Sequence, residues 1–238
     1  MMNKIELRLL VLFSSFLLMS CDKSVSIEGL WIVQQVKIRE QIMTPDARWM
    51  RFNSDGTQTS GNGWFQHSVG TWKLNDKTQE LSVNNTNGLK DPNGPFRITI
   101  DKDEMTWTRL EEGEKVIITL IRSDDLPQTF SDKILGLWKL EAATGNFNYF
   151  APDIEKDSTA SIFFRWDKRF VIQSSKGRIN GVYNVHGHKP EVELIPYGDE
   201  LNRNFWQIAF EENAITLKLL NTDSLVTRKF LRIHEFPK

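Results

Sequence analysis

Ile27-Glu28-Gly29-Leu30-Trp31 returns 107 residues later as Ile134-Leu135-Gly136-Leu137-Trp138, with isoleucine, glycine, leucine and tryptophan in the same places. The landmarks that follow return in the same order. Met50-Arg51-Phe52-Asn53-Ser54-Asp55-Gly56 parallels Phe163-Phe164-Arg165-Trp166-Asp167-Lys168-Arg169, and Gly70-Thr71-Trp72-Lys73-Leu74 parallels Gly181-Val182-Tyr183-Asn184-Val185. Near the ends, Thr119-Leu120-Ile121-Arg122 lies opposite Lys229-Phe230-Leu231-Arg232. Offsets that drift slowly around 110 residues are what small loop insertions produce in a duplicated domain, whereas stacked solenoid repeats recur at much shorter periods.

Each copy has the pattern of antiparallel strands. Phe96, Ile98 and Ile100 alternate with Arg97, Thr99 and Asp101; Val192 and Leu194 alternate with Glu191 and Glu193; Ile215, Leu217 and Leu219 alternate with Thr216 and Lys218. Successive strand side chains point to opposite faces, so this period of two predicts one buried and one solvated face. Turn clusters such as Ser54-Asp55-Gly56 and Asp91-Pro92-Asn93-Gly94 separate the runs, and no long helix is expected after the first twenty residues. A meander of about eight short strands removes its edges by closing into a barrel. The fold expected is all-β: two tandem small antiparallel up-and-down barrels, over residues 27–122 and 134–238, joined by a linker at 123–133 in which Asp124, Asp125, Pro127 and Gln128 interrupt the apolar pattern.

The first twenty residues are of a different kind. Lys4 and Arg8 precede an apolar run from Leu9 to Met19, followed by Ser20 and Cys21. This is the layout of a secretory signal, and the run falls short of the roughly 20 residues needed to cross a bilayer as a helix. Leu18-Met19-Ser20-Cys21 resembles a bacterial lipobox, which implies cleavage before Cys21 and acylation of that residue, the only cysteine of the chain. Two or three acyl chains, palmitate among them, would anchor the protein durably, because each buried methylene contributes about 0.8 kcal/mol. Residues 21–26 would then be a tether, and the expected location is the bacterial cell envelope at the outer membrane, on a face that the residues leave open. Cleavage removes Lys4 and Arg8 against Glu6 and leaves 28 basic and 30 acidic residues, a balance with no surplus that would attract nucleic acid.

Gly29-Leu30-Trp31 with Arg122, and Gly136-Leu137-Trp138 with Arg232, resemble the lipocalin and lipocalin-like superfamily, and the tandem arrangement behind a lipobox is similar to the lipocalin-like lipoproteins of Bacteroidetes. The resemblance implies that Trp31 and Trp138 plug one end of each barrel, with Arg122 and Arg232 laid across their faces in a structural cation–π contact. It further implies that inward-facing Phe52, Trp72, Trp107, Phe164, Tyr183 and Trp206 would line any open cup and contact a small apolar ligand. Each unit is shorter than a typical ligand carrier, and a barrel of eight strands is filled as readily as hollow. Packed barrels acting as an interaction subunit for an envelope protein partner, or as an inhibitor, are therefore the alternative expectation.

No nucleophile elbow, P-loop, dinucleotide fingerprint or metalloprotease helix occurs in the chain, and a non-enzymatic protein without cofactor or metal is expected. His186-Gly187-His188 offers two imidazoles where zinc needs three or four protein ligands, so a polar hairpin turn is the expectation there. Trp49 and Trp64 flank the Gly/Ser-rich stretch from Asp55 to Gly63, expected to be a hairpin tip, where they would be either a contact patch or satellite packing.

Overall fold

The alternating segments become strands that close on themselves twice. The computed structural model describes residues 26–87, 90–145, 159–175, 177–198 and 203–235. The signal segment, the lipobox and Cys21 lie outside the described residues. The first barrel comprises β1 (Gly29–Ile38), β3 (Arg48–Phe52), β4 (Thr57–Asn62), β5 (Phe65–Asn75), β6 (Glu80–Asn85), β7 (Phe96–Asp101), β8 (Glu104–Glu111) and β9 (Glu114–Ser123), each antiparallel to the next, with β9 returning to β1. A short β2 (Gln41–Met43) folds back on the far end of β1 as a hairpin outside the barrel circuit. The second barrel runs β10 (Gly136–Thr144), β11 (Ser161–Phe164), β12 (Arg169–Ser174), β13 (Gly177–Val185), β14 (Glu191–Pro196), β15 (Asn204–Phe210), β16 (Ala214–Leu219) and β17 (Thr227–Ile233), and is likewise closed. The protein is all-β, two small up-and-down antiparallel barrels of lipocalin-like form in tandem.

The duplication extends to backbone detail. The first strand of each barrel is bulged at the same place, between Val33 and Gln35 in β1 and between Leu140 and Ala142 in β10. Such a bulge sharpens the local twist that a strand needs to curl around a small barrel. Trp31 donates its indole N–H to the Ile27 carbonyl at 2.7 Å, and Trp138 donates to the Ile134 carbonyl at 2.8 Å. Arg122 pairs with Trp31 across the β1–β9 seam and stacks 4.3 Å from its ring; Arg232 does the same to Trp138 at 4.0 Å. Each guanidinium also bridges two carbonyls ahead of the first strand, Ser26 and Glu28 in one copy, Lys133 and Leu135 in the other. The strand registers correct one alignment made from sequence. Gly29 faces Phe52 and Gly136 faces Phe164, so Phe52 corresponds to Phe164, one position away from the pairing that turn similarity suggested.

The two barrels are stacked end to end. Ser123 leaves barrel 1 at its tryptophan end, paired with Leu30, and the linker reaches the opposite, open end, where the Asp46 carboxylate accepts the Phe130 N–H at 3.0 Å. There it forms one helical turn, α1 (Phe130–Lys133), capped by Thr129 and Asp132 in a reciprocal pair of hydrogen bonds. Phe130 stacks on Phe210 of barrel 2 with ring centroids 6.0 Å apart. The tryptophan end of barrel 2, with its 186–190 turn, is thereby set against the mouth of barrel 1.

Gly136 sits at φ +117°, and a Cβ there would lie 2.6 Å from the Arg232 guanidinium. Gly136→Ala should therefore destabilise barrel 2 by at least about 2 kcal/mol, combining backbone strain with a displaced clamp. Gly187, with nothing near a built Cβ, is the control, and its alanine variant should stay within about 0.5 kcal/mol of the parent in urea unfolding followed by tryptophan fluorescence.

Candidate functional site

Two barrels on one framework have different interiors. Among the described residues, seventeen buried apolar side chains interlock in barrel 2 against ten in barrel 1. Register identifies the cause. Gln58 and Ser60 of β4 face Phe52 and Met50, while the same positions of β12 hold Phe170 and Ile172, which face Phe164 and Ile162. Arg48, at the start of β3, corresponds to Ala160. Two bulky apolar side chains thus fill in barrel 2 the space that two smaller polar ones leave open in barrel 1.

What remains in barrel 1 is a cavity of about 490 Å³. Its apolar wall comes from Val33 and Val36 on β1, Met50 on β3, Val83 on β6, Phe96 on β7, Trp107 on β8 and Ile118 on β9. Arg48, Ser60, Asn62, Asn85, Asp91 and Arg109 supply the polar part, and His188 from the turn of barrel 2 also lines it. The volume is in the range of a small-molecule site, and apolar and polar residues line it in nearly equal number.

The electrostatics are set by two arginines. Arg109 is neutralised: Asp91 at 2.6 Å and Glu111 at 2.6 Å both take its N–H groups, the Gly94 carbonyl takes another, and its guanidinium lies 3.8 Å over Phe96. Burial pushes the Asp91 carboxyl upward, but bonds from Arg109 and Asn93 outweigh it and hold the group below its ordinary value. Arg48 is different. Its partners are His67 Nε2 and, at 3.4 Å, Ser60 Oγ, with no carboxylate in ion-pair range among the described residues. Burial pulls its pKa down. Burial and then the neighbouring Arg48 charge also lower that of His67, whose Nε2 lies between the Arg48 guanidinium and Asn62 Oδ1, 3.1 Å away. Asn85 Oδ1 accepts from Gln58 at 3.0 Å and from Ser68 at 2.8 Å.

Of the six residues expected to line a cup, Trp107 borders this cavity. Phe52 and Trp72 pack beside it, edge to face at 5.7 Å, with the Trp72 indole donating to the Asn53 carbonyl. Phe164, Tyr183 and Trp206 lie inside the packed interior of barrel 2 at 0–1% exposure. The Tyr183 hydroxyl donates to the Arg165 carbonyl at 2.6 Å, the counterpart of the Trp72 bond, and burial pushes its pKa upward. Trp49 is buried against Gly61 with its N–H on the Gly63 carbonyl, whereas Trp64 is 76% exposed. The Asp55–Gly63 stretch is mostly strand β4 rather than a hairpin tip, and Gly61 leaves room for the Trp49 ring, which a Cβ there would meet at 2.7 Å. His186 and His188 occupy the β13–β14 turn, where the His188 N–H bonds His186 Nδ1. Sequence reasoning passed over Arg48 and His67, and gave Asn85, the last residue of β6, no part in a barrel cavity. An available signal was the contrast between Gln58 and Ser60 in one repeat and Phe170 and Ile172 in the other.

No protein-family model, curated protein or solved structure matches the chain.

Leu217→Ala, in the filled barrel, should cost about 2–5 kcal/mol, because it opens a cavity in a close-packed core. Ile118→Ala enlarges a void that already exists and should cost less than about 1.5 kcal/mol. Urea denaturation of the two variants measures the difference, and equal costs would contradict a hollow barrel 1.

Proposed function

We propose that the protein is a non-enzymatic, lipid-anchored component of the bacterial envelope, related to the lipocalin-like lipoproteins, whose first barrel binds a small apolar molecule. The observation that carries the binding reading is the cavity of about 490 Å³ in barrel 1, with Val33, Val36, Met50, Val83, Phe96, Trp107 and Ile118 on its apolar side. Anchoring through acylated Cys21 rests on the signal layout and on the position of the single cysteine. The outer membrane is the location in keeping with the resemblance. Barrel 2 has a different part in this reading: its interior is occupied by its own side chains, and it contributes a base that stands over the mouth of barrel 1 and lends His188 to the cavity.

Association with an envelope protein partner is the second reading. It is favoured by Trp64 and Phe65, in edge contact at 5.9 Å and 76% and 56% exposed, at the same open end of barrel 1 as the exposed Ile42 and Met43. Exposed aromatics of this kind are enriched where proteins meet.

N-phenyl-1-naphthylamine, a neutral apolar fluorophore, tests the first reading on residues 22–238. Saturable enhancement is expected with the parent, and Val83→Trp, which fills the cavity, should weaken it at least tenfold. Absence of saturable uptake in the parent would overturn small-molecule binding and leave the protein-partner reading, for which crosslinking through position 64 in envelopes is the corresponding measurement.

A further inference from the structure

The cavity has one side unlike the rest. Arg48, Ser60, Asn62 and Asn85 gather on β3, β4 and β6, while Val33 and Val36 on β1, Trp107 on β8 and Ile118 on β9 form an apolar side. Two facts about this polar arc bear on what it would hold. First, it carries a positive charge with no ion-pair partner among the described residues: Asp91, the carboxylate that lines the cavity, is taken by Arg109, while Arg48 meets the His67 imidazole and the Ser60 hydroxyl. A half-buried guanidinium without a counter-charge is partly desolvated at a cost, and the arrangement is stabilised when an anion arrives. Second, the free valences are donors. Asn85 Oδ1 is already engaged twice, which leaves its amide N–H groups for the cavity, and Arg48 has more N–H groups than His67 and Ser60 accept. The framework itself does not require these groups, because the positions of Arg48, Gln58 and Ser60 are filled in barrel 2 by Ala160, Phe170 and Ile172.

Resting on the reading that barrel 1 binds small molecules, we propose that its ligand is a single-chain amphiphile with an anionic head group, the head held by Arg48 and Asn85 and the chain laid against Val36, Trp107 and Ile118. A fork of guanidinium N–H groups matches a carboxylate or phosphate in two parallel charge-assisted bonds. The head group would complete the set of charges at the polar arc, and the hydrocarbon would occupy the wall that water wets poorly.

Competition against bound N-phenyl-1-naphthylamine tests this with four probes sharing one ten-carbon chain: decanoate, decyl phosphate, decanol and decylamine. With the parent protein, at least one of the two anions should displace the fluorophore at a concentration at least tenfold below that of decanol, with decylamine weakest. Decanoate preferred over decyl phosphate would mark a carboxylate head, and the reverse a phosphate. In Arg48→Met the ratio of anion to decanol should fall to within twofold, and in Arg48→Lys it should stay above about threefold. Because the readout is a ratio within one protein, impaired folding of a variant cannot imitate the result. Equal competition by anions and decanol in the parent would overturn the anionic head group while leaving small-molecule binding intact. Failure of the fluorophore and of all four probes to bind would overturn both.

Discussion

Each barrel closes where its first strand pairs with its last, and one arginine locks the end of that seam. A meander of eight strands has two free edges, and joining them brings the first and last strands together over a tryptophan that would otherwise face water. Arg122 and Arg232 meet three needs there with one side chain: a cation above the indole, and hydrogen bonds to two carbonyls that precede the first strand. The cation–π contact is worth about 0.5–2 kcal/mol, but its position at the seam matters more than its size, since the chain entering the barrel and the strand leaving it are fixed to each other. The glycine before each tryptophan follows from the same contact. At φ +115° and +117°, Gly29 and Gly136 leave room for the guanidinium where a Cβ would stand.

With the framework fixed in this way, the interior is free to diverge. Barrel 2 fills its core with Phe164, Phe170, Tyr183 and Trp206, all at 0–1% exposure, and the result is an interior occupied by its own side chains. Barrel 1 keeps the same circuit of strands, the same bulge and the same clamp, yet places Gln58 and Ser60 where its sister places Phe170 and Ile172. The polar atoms retained there are tied into a network through Asn85, Ser68 and His67 instead of packing against apolar neighbours. The part-buried bonds from Gln58 and Ser68 both converge on Asn85 Oδ1, and that gives barrel 1 an interior with two chemically different sides.

How much of this was legible in the sequence follows from how local each signal is. The Gly-x-Trp pairs, Arg122 and Arg232 are short patterns whose geometry is settled within one strand and its neighbour, and the period-two runs of Phe96–Ile100 and Ile215–Leu219 became strands β7 and β16. The correspondence of Phe52 with Phe164 was missed by one position because turn residues resemble one another more than registers do. The hollow was harder still. It depends on volumes summed over several strands, and Phe52, Trp107, Phe164 and Trp206 are equally apolar, whichever borders a void. The charge imbalance at Arg48 was invisible for a related reason: Asp91 and Glu111, far from Arg48 in the chain, are used by Arg109, and sequence does not reveal which arginine a carboxylate will choose.

The end-to-end stack has a mechanical consequence. Residue 27 enters barrel 1 and Ser123 leaves it at the same end, on antiparallel neighbours β1 and β9. Tension between the N-terminus and the linker would therefore peel that seam open from its end, one pair of hydrogen bonds at a time, rather than shear many at once. Once the Asp46–Phe130 bond has released the linker, the bonds from Arg122 to the Ser26 and Glu28 carbonyls are next to carry the load. A side chain that closes the barrel is thus also the stitch that keeps it from unravelling under a pull.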